Sequence, residues 1–375
     1  MPASLTIITN PKASSGLGVY IAKALQQSGC EVSQLDPAGS TWQKLWPVIR
    51  SWRWDKTAMW KARWENLVFS SRAWDRNTRR VGRQLEKMKA LGRPILMVGK
   101  EYFPHPDYRH LPYSIFIHHT MRLALADGVT PWLPPPHDVE RFLERETLLY
   151  QHARNIFVGG QFLADNLVQA YGVPPDRITI AGGGPHPYFE AHPAVEIPTR
   201  FTNQLIFVGW DFGMKGGADL LAAFDLARRA RPELTLVVAG PDRSQWREQP
   251  GVRWLGPVGS KDELIKLYRQ SDLFVMPSLR DSFGFVFLEA MTQGLPCIGT
   301  NINAMPEIIE DGKTGYIVPA RDPAALAKAI LHFYEQEGNR GALGAAARAR
   351  VQERYTWARV ADLILRKMDD AAGRP

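Results

Sequence analysis

Short apolar runs separated by turn residues set the rhythm of this chain. In the first half, strands are expected near residues 4–9, 31–35, 66–70, 94–98, 113–118, 155–158 and 177–181, and helical stretches such as the amphipathic Val19 to Ser28 lie between them. That alternation is the signature of a parallel sheet with helices on both faces. It loosens from Gly182-Gly183-Gly184-Pro185-His186-Pro187 to Pro198, which reads as a linker between domains. It resumes with the strands Gln204 to Gly209, Leu234 to Ala239, Val252 to Leu255 and Leu273 to Met276, with helices to Arg229 and from Asp262 to Gln270. At 375 residues the chain exceeds one compact core, so two α/β domains are expected.

The most informative stretch follows Leu273-Phe274-Val275-Met276. A Pro277-Ser278 turn ends that strand, Gly284 opens the next segment, and Glu289 lies about one helical turn inside it. A helix that starts at the carboxyl end of a strand presents unpaired N–H groups and a positive dipole end, and phosphate is their natural occupant. The carboxylates Asp281 and Glu289 flank the turn. They repel phosphate but accept from hydroxyls, which a ribose and a hexose supply. The stretch therefore reads as a cradle for a nucleotide sugar.

The segment resembles the signature of retaining glycosyltransferases of family 4, which have two Rossmann-like domains facing each other across a cleft (the GT-B fold). Their pattern is Glu, seven residues, Glu, with Ser/Gly-Phe-Gly after the first. Here Asp281 takes the first position, Ser282-Phe283-Gly284 follows, and Glu289 takes the second. Gly294-Leu295-Pro296-Cys297-Ile298-Gly299-Thr300, Pro306-Glu307-Ile308-Ile309 and Asp311-Gly312-Lys313-Thr314-Gly315-Tyr316-Ile317-Val318 fall at the family's spacing too. The resemblance covers the second domain almost entirely and the first more loosely. It implies an N-terminal acceptor domain at 1–190, a donor domain at 200–355, and a last helix at 356–375 that returns to the first domain.

The resemblance also implies roles. Lys215, beside Gly216 after the strand Gln204 to Gly209, and the turn Ser282, Phe283, Gly284 and Phe285 would hold the diphosphate. Glu289 would take the ribose hydroxyls and Asp281 the sugar hydroxyls. The base would lie against Gly256-Pro257-Val258-Gly259-Ser260, at Val258 through backbone groups. Family members commonly carry an Arg near Lys215, where this chain has Trp210; Arg280 and Lys12 are the candidates to supply that cation. From the first domain, the turn Asn10 to Gly18, with Gly16, would approach the donor phosphate. His119, or failing it His118, at the end of Tyr113 to Ile117, would touch the sugar. The donor would be UDP- or GDP-linked, with no cofactor and no metal, because no paired-acidic metal motif is present. The expected reaction is retaining hexosyl transfer to an acceptor hydroxyl.

Rival classes are a dinucleotide oxidoreductase and a catalytically silent nucleotide-sugar-binding protein. The first lacks a complete fingerprint: Gly16 and Gly18 have no third glycine, and Asp36 is the only acidic residue near the second strand's end. The second is favoured by the two departures, Trp210 and Asp281.

Charge adds a question about the acceptor. The net charge of +8 concentrates between residues 40 and 93, where fourteen Lys and Arg face four Asp and Glu. Seven of the twelve Trp lie there too: Trp42, Trp46, Trp52, Trp54, Trp60, Trp64 and Trp74. Aromatic and cationic side chains together suit either an anionic membrane surface, with a lipid-linked or envelope glycan as acceptor, or a packed domain with a solvated rim. Nucleic acid is not expected, for want of a motif. Cys30 and Cys297 form no metal or disulfide pattern, and Ser4 to Thr9 reads as a strand rather than a secretory leader. The expected location is cytoplasmic, with peripheral contact at the inner membrane face if residues 42–93 bind lipid.

Overall fold

The computed structural model describes residues 4–9, 16–35, 71–89, 93–99, 111–127, 136–198, 201–241, 248–336 and 339–372. The chain divides into two compact units, Met1–Ala181 with Trp357–Pro375 and Gly182–Thr356. Among the described residues each unit holds one six-stranded, all-parallel sheet.

The first unit contains β1 (Ser4–Ile8), α1 (Leu17–Gln27), β2 (Glu31–Leu35), α2 (Ser71–Lys89), β3 (Ile95–Val98) and β4 (Ser114–Ile117). It continues with α3 (Met121–Asp127), α4 (Val139–His152), β5 (Ile156–Val158), α5 (Gln161–Tyr171) and β6 (Ile178–Ile180). The strands lie in the order β2-β1-β3-β4-β5-β6. The runs Ile95-Leu96-Met97 and Ile156-Phe157-Val158 are continuously buried, as helix-covered parallel strands require. The strand expected at 66–70 lies outside the described residues.

The second unit contains α6 (Pro187–Ala191), β7 (Gln204–Val208), α7 (Gly217–Ala230), β8 (Thr235–Ala239), β9 (Val252–Gly256) and α8 (Lys261–Gln270). Then come β10 (Leu273–Val275), α9 (Phe285–Thr292), β11 (Cys297–Thr300), α10 (Met305–Ile308), β12 (Gly315–Val318), α11 (Pro323–Glu335) and α12 (Asn339–Arg354). Its strand order is β12-β11-β10-β7-β8-β9. Connections after β7 run one way along the sheet and those after β10 the other. The point of reversal lies between β7 and β10, where Leu273 pairs with Leu205 and Phe274 with Ile206. Open α/β sheets bind ligands beyond the carboxyl ends of such strands.

A buried ion pair fixes that strand pair from below. At the start of β10 the Asp272 carboxylate accepts from the backbone N–H of Thr202 at 2.8 Å and of Gln204 at 3.3 Å, and from the Tyr334 hydroxyl at 3.2 Å. Arg340 Nε reaches it at 3.0 Å, and both side chains are almost wholly buried. Every lone pair so used offsets the cost of burying the charge.

Residues 182–187, read from sequence as a linker, are packed into the second unit. A Cβ on Gly183 would stand 2.8 Å from the Phe283 ring, so that backbone lies directly against the aromatic pair. Phe189 in α6 is buried edge-on to Tyr268. The first unit is closed instead by α13 (Trp357–Ala372), which begins at Trp357 rather than 356. Trp357 packs on Tyr20 of α1, with ring centroids 5.5 Å apart, and Lys367 O accepts from Asn155 Nδ2 at 3.4 Å.

Candidate functional site

Two loops meet at the reversal point of the second sheet. After β7 the chain turns through Asp211, whose carboxylate accepts from the Met214 N–H at 2.9 Å, and reaches Lys215 just before α7. After β10 it turns through Pro277 to Asp281 and enters α9. The loops are stitched together by Leu279 N–H to Met214 O at 3.0 Å. Gly216, at φ 73°, permits the approach: a Cβ there would stand 1.8 Å from Pro277 O.

Across this seam Lys215 Nζ reaches Asp281 Oδ2 at 2.6 Å and donates to Arg280 O at 3.1 Å. The other carboxylate oxygen, Asp281 Oδ1, accepts from Gly284 N–H at 2.9 Å and Phe283 N–H at 3.4 Å. The sequence reading had Asp281 flanking the turn, and here its side chain folds back onto that turn. Its carboxylate engages the ammonium and two of the amides read as phosphate donors. The surrounding backbone is pinned, with Asn303 Nδ2 donating to Asp281 O at 2.7 Å and Ser278 Oγ to Arg280 O at 2.8 Å.

In the same turn Ser282 and Phe285 are half-buried, while Phe283 is buried against Phe285 and Tyr355, at 5.1 and 6.2 Å between ring centroids. Phe283 can thus meet a ligand through its backbone rather than its ring. Gly284 caps α9 at φ 86°, a left-handed conformation that favours glycine. One turn on, Glu289 faces the start of α6, where the His186 backbone hydrogen-bonds it. Burial pushes its carboxyl up to about 7, against the opposing pull of Lys261 and that hydrogen bond. The neighbouring Tyr268 hydroxyl is raised by burial and then by Glu289.

The remaining expected residues of this unit lie on loops beyond the same strand ends. Trp210, after β7, is 79% exposed, and Val258, half-buried, lies between β9 and α8. Ser260 caps α8 by accepting from Glu263 N–H at 3.1 Å.

The first unit places Gly16, Gly18, His118 and His119 beyond its own strand ends. Gly16 caps α1 at φ 62°. His118 and His119 follow β4 and are half-buried. His119 Nδ1 lies 2.8 Å from Thr120 O, and since a carbonyl only accepts, that nitrogen carries the hydrogen. The next residues are held by a group that sequence reasoning missed. Glu146 of α4 is fully buried and accepts from Met121 N–H with both oxygens, at 3.0 and 2.9 Å. It also accepts from the hydroxyls of Tyr150, at 2.9 Å, and Tyr171. The signal was a Glu at helical spacing among Phe142, Leu149 and Tyr150, which an exposed Glu would not show. Lys12 and Trp42 to Trp64 lie outside the described residues, as does the side chain of Trp74. Among the described residues no group of three or more His, Cys, Asp or Glu could hold a metal ion.

Comparison with known proteins finds similarity centred on the second unit. Residues 202–336 match the family Glycosyl transferases group 1. The chain is 30% identical over 267 residues to a D-inositol 3-phosphate glycosyltransferase of Saccharomonospora viridis, covering 64% of this chain and 60% of that one. It is 32% identical over 181 residues to a phosphatidyl-myo-inositol mannosyltransferase of Mycobacterium leprae, covering 46% of this chain and 48% of the relative. The chain thus spans about half to three fifths of these relatives. Among solved structures, a glycosyltransferase from Rickettsia africae ESF-5 aligns over all of both chains with a TM-score of 0.69 at 15% identity. A trehalose-6-phosphate protein from E. coli bound with UDP-2-fluoro glucose aligns over 99% of both, with a TM-score of 0.64 at 14% identity. Two six-stranded parallel α/β domains are therefore the fold of this chain, shared with glycosyltransferase structures.

Proposed function

We propose that this chain transfers a hexose from a nucleotide sugar, UDP- or GDP-linked, to an acceptor hydroxyl with retention at the anomeric carbon. The observation that carries the reading is the Lys215 ammonium set against the N-terminus of α9 at the reversal point of the second sheet. Both sit inside the region matching Glycosyl transferases group 1. Relatives named for glycosyl and mannosyl transfer, and a fold neighbour bound with a UDP sugar, point the same way.

In this reading Lys215 and the amides of residues 283–285 take the charge that builds on the departing diphosphate. The bond from the anomeric carbon to the phosphate oxygen breaks as the acceptor oxygen approaches the same face, and the acceptor proton leaves with the diphosphate. No protein nucleophile is needed, and positioning with electrostatic stabilisation carries the rate. Glu289 holds the ribose and Asp281 the sugar hydroxyls, and His119, or His118, is the proposed histidine contact of the sugar. Val258 marks the base loop and Trp210 the position usually held by Arg.

The acceptor is proposed to be a lipid-linked or other envelope glycan, presented by residues 42–93 at an anionic membrane surface. In α2, Thr78, Val81, Gly82 and Leu85 are buried, Val81 and Leu85 within the first unit's core, and Arg79, Arg83 and Lys87 are exposed four residues apart, the basic row that would meet anionic headgroups. No helix among the described residues is long and apolar enough to cross a membrane.

The test is release of nucleoside diphosphate from a panel of UDP- and GDP-sugars, with anomeric configuration of the product read by NMR. Binding of a sugar nucleotide without turnover on any lipid or glycan acceptor would favour the silent binder, which Trp210 and Asp281 keep in view. Sedimentation with vesicles of rising anionic lipid content tests the membrane face; charge reversal at Arg79, Arg83 and Lys87 is expected to abolish it at low salt.

A further inference from the structure

Asp281 is placed to compete with the very group the site is read as binding. Its two oxygens engage Lys215 Nζ at 2.6 Å and the Gly284 and Phe283 amides at 2.9 and 3.4 Å. These are the donors a diphosphate requires. The backbone on which the carboxylate rides is held by Asn303, Ser278 and Lys215 through the carbonyls of residues 280 and 281. Exchange of partners therefore needs rotation of one short side chain and no movement of the turn. Both side chains of the pair reach solvent, Lys215 at 22% and Asp281 at 14% exposure, so a ligand can enter between them.

We infer that Asp281 acts as a built-in competitor of the diphosphate and thereby sets the preference for intact donor over spent product. The inference rests on the donor-site reading above. A free nucleoside diphosphate must displace the carboxylate from Lys215 and the amides and then lie beside an unpartnered negative charge. An intact nucleotide sugar displaces it too, but presents sugar hydroxyls that the released carboxylate can accept from, and it carries less charge on the terminal phosphate. Product is thus expelled by the same side chain that recognises the sugar. Aspartate suits the task because its carboxylate lies a single methylene from the pinned backbone and folds back onto its own turn, as an Asx side chain does.

The experiment is calorimetric titration of the full chain with UDP, GDP, UDP-glucose and GDP-mannose, for the unaltered protein, Asp281→Asn, Lys215→Ala and the double variant. Asn keeps an oxygen for the Gly284 amide, so the turn retains its cap. Asp281→Asn is expected to tighten binding of the preferred nucleoside diphosphate roughly three- to tenfold, and that of its sugar nucleotide less or not at all. In the Lys215→Ala background the same change should gain less, because the two groups are coupled. The unaltered chain should bind the sugar nucleotide at least as tightly as the matching diphosphate, a result that needs no variant. Unchanged or weaker diphosphate binding in Asp281→Asn, with Lys215→Ala still weakening it, overturns the competitor and leaves the donor site standing. If the unaltered chain binds none of the four ligands, the donor-site reading falls and takes the competitor with it.

Discussion

Lys215 holds its place through contacts to a side chain and a carbonyl on another loop, and its own loss leaves Asp281 still capped by two amides. Lys215→Ala is therefore expected to cut turnover on the order of a hundredfold, through lost stabilisation of the leaving group. Its thermal midpoint should stay within a few degrees; a large fall would make Lys215 a structural residue. Glu289 gives a pH signature. The folded chain holds its proton more tightly than the unfolded chain does, about 7 against 4.5. Its contribution to stability is therefore present below about pH 4.5 and is lost as pH rises to about 7, by on the order of 3 kcal/mol at most. Glu289→Gln should flatten that part of the stability curve in denaturant titrations between pH 4.5 and 7.5. In the unaltered chain nucleoside diphosphate should bind more tightly as pH passes through 7, when the ionised carboxylate meets the ribose hydroxyls. At this scale the sequence pointed to candidate residues but not to their partners. Asp281 and Lys215 lie 66 positions apart, and their ion pair depends on β10 lying beside β7, which no local pattern encodes.

Elements were more legible than contacts. Apolar runs such as Ile95-Leu96-Met97 and Leu205-Ile206-Phe207 announce buried parallel strands, and the glycine before α9 announces its start. The stretch 182–187 misled because three glycines and two prolines look like a linker. In the fold the missing side chain at Gly183 lets the backbone lie on Phe283, a reason visible only in three dimensions. Gly216 is the corresponding point at the site. Gly216→Ala forces a side chain into φ 73° and within 1.8 Å of Pro277 O, so about 2 kcal/mol or more of stability should go. Because the two loops would be pushed apart, donor affinity should fall with it. Wild-type affinity in that variant, measured by the same titrations, would show that the seam between the loops does not shape the site.

Among the described residues the molecule has two sheets, one in each unit, but only the second unit is continuous in sequence. Val360, Ala361, Ile364, Leu365 and Met368 of α13 are each no more than 5% exposed. Removing them forfeits roughly 6–12 kcal/mol of apolar burial, comparable with the whole stability of a domain. A chain ending at Thr356 should therefore lose the first unit to limited proteolysis while residues 182–356 stay resistant and still bind nucleotide. Loss of both units together would show that they fold as one. The same discontinuity bears on how the polypeptide is made. The ribosome delivers residues 4–180 first, yet their closing helix emerges only after some 175 residues of the second unit. During that interval the earlier-born half is the unfinished one and presents the apolar face of α1 to chaperones. Nascent chains stalled before and after residues 357–372 clear the exit tunnel should then differ in protease resistance in their amino-terminal half alone.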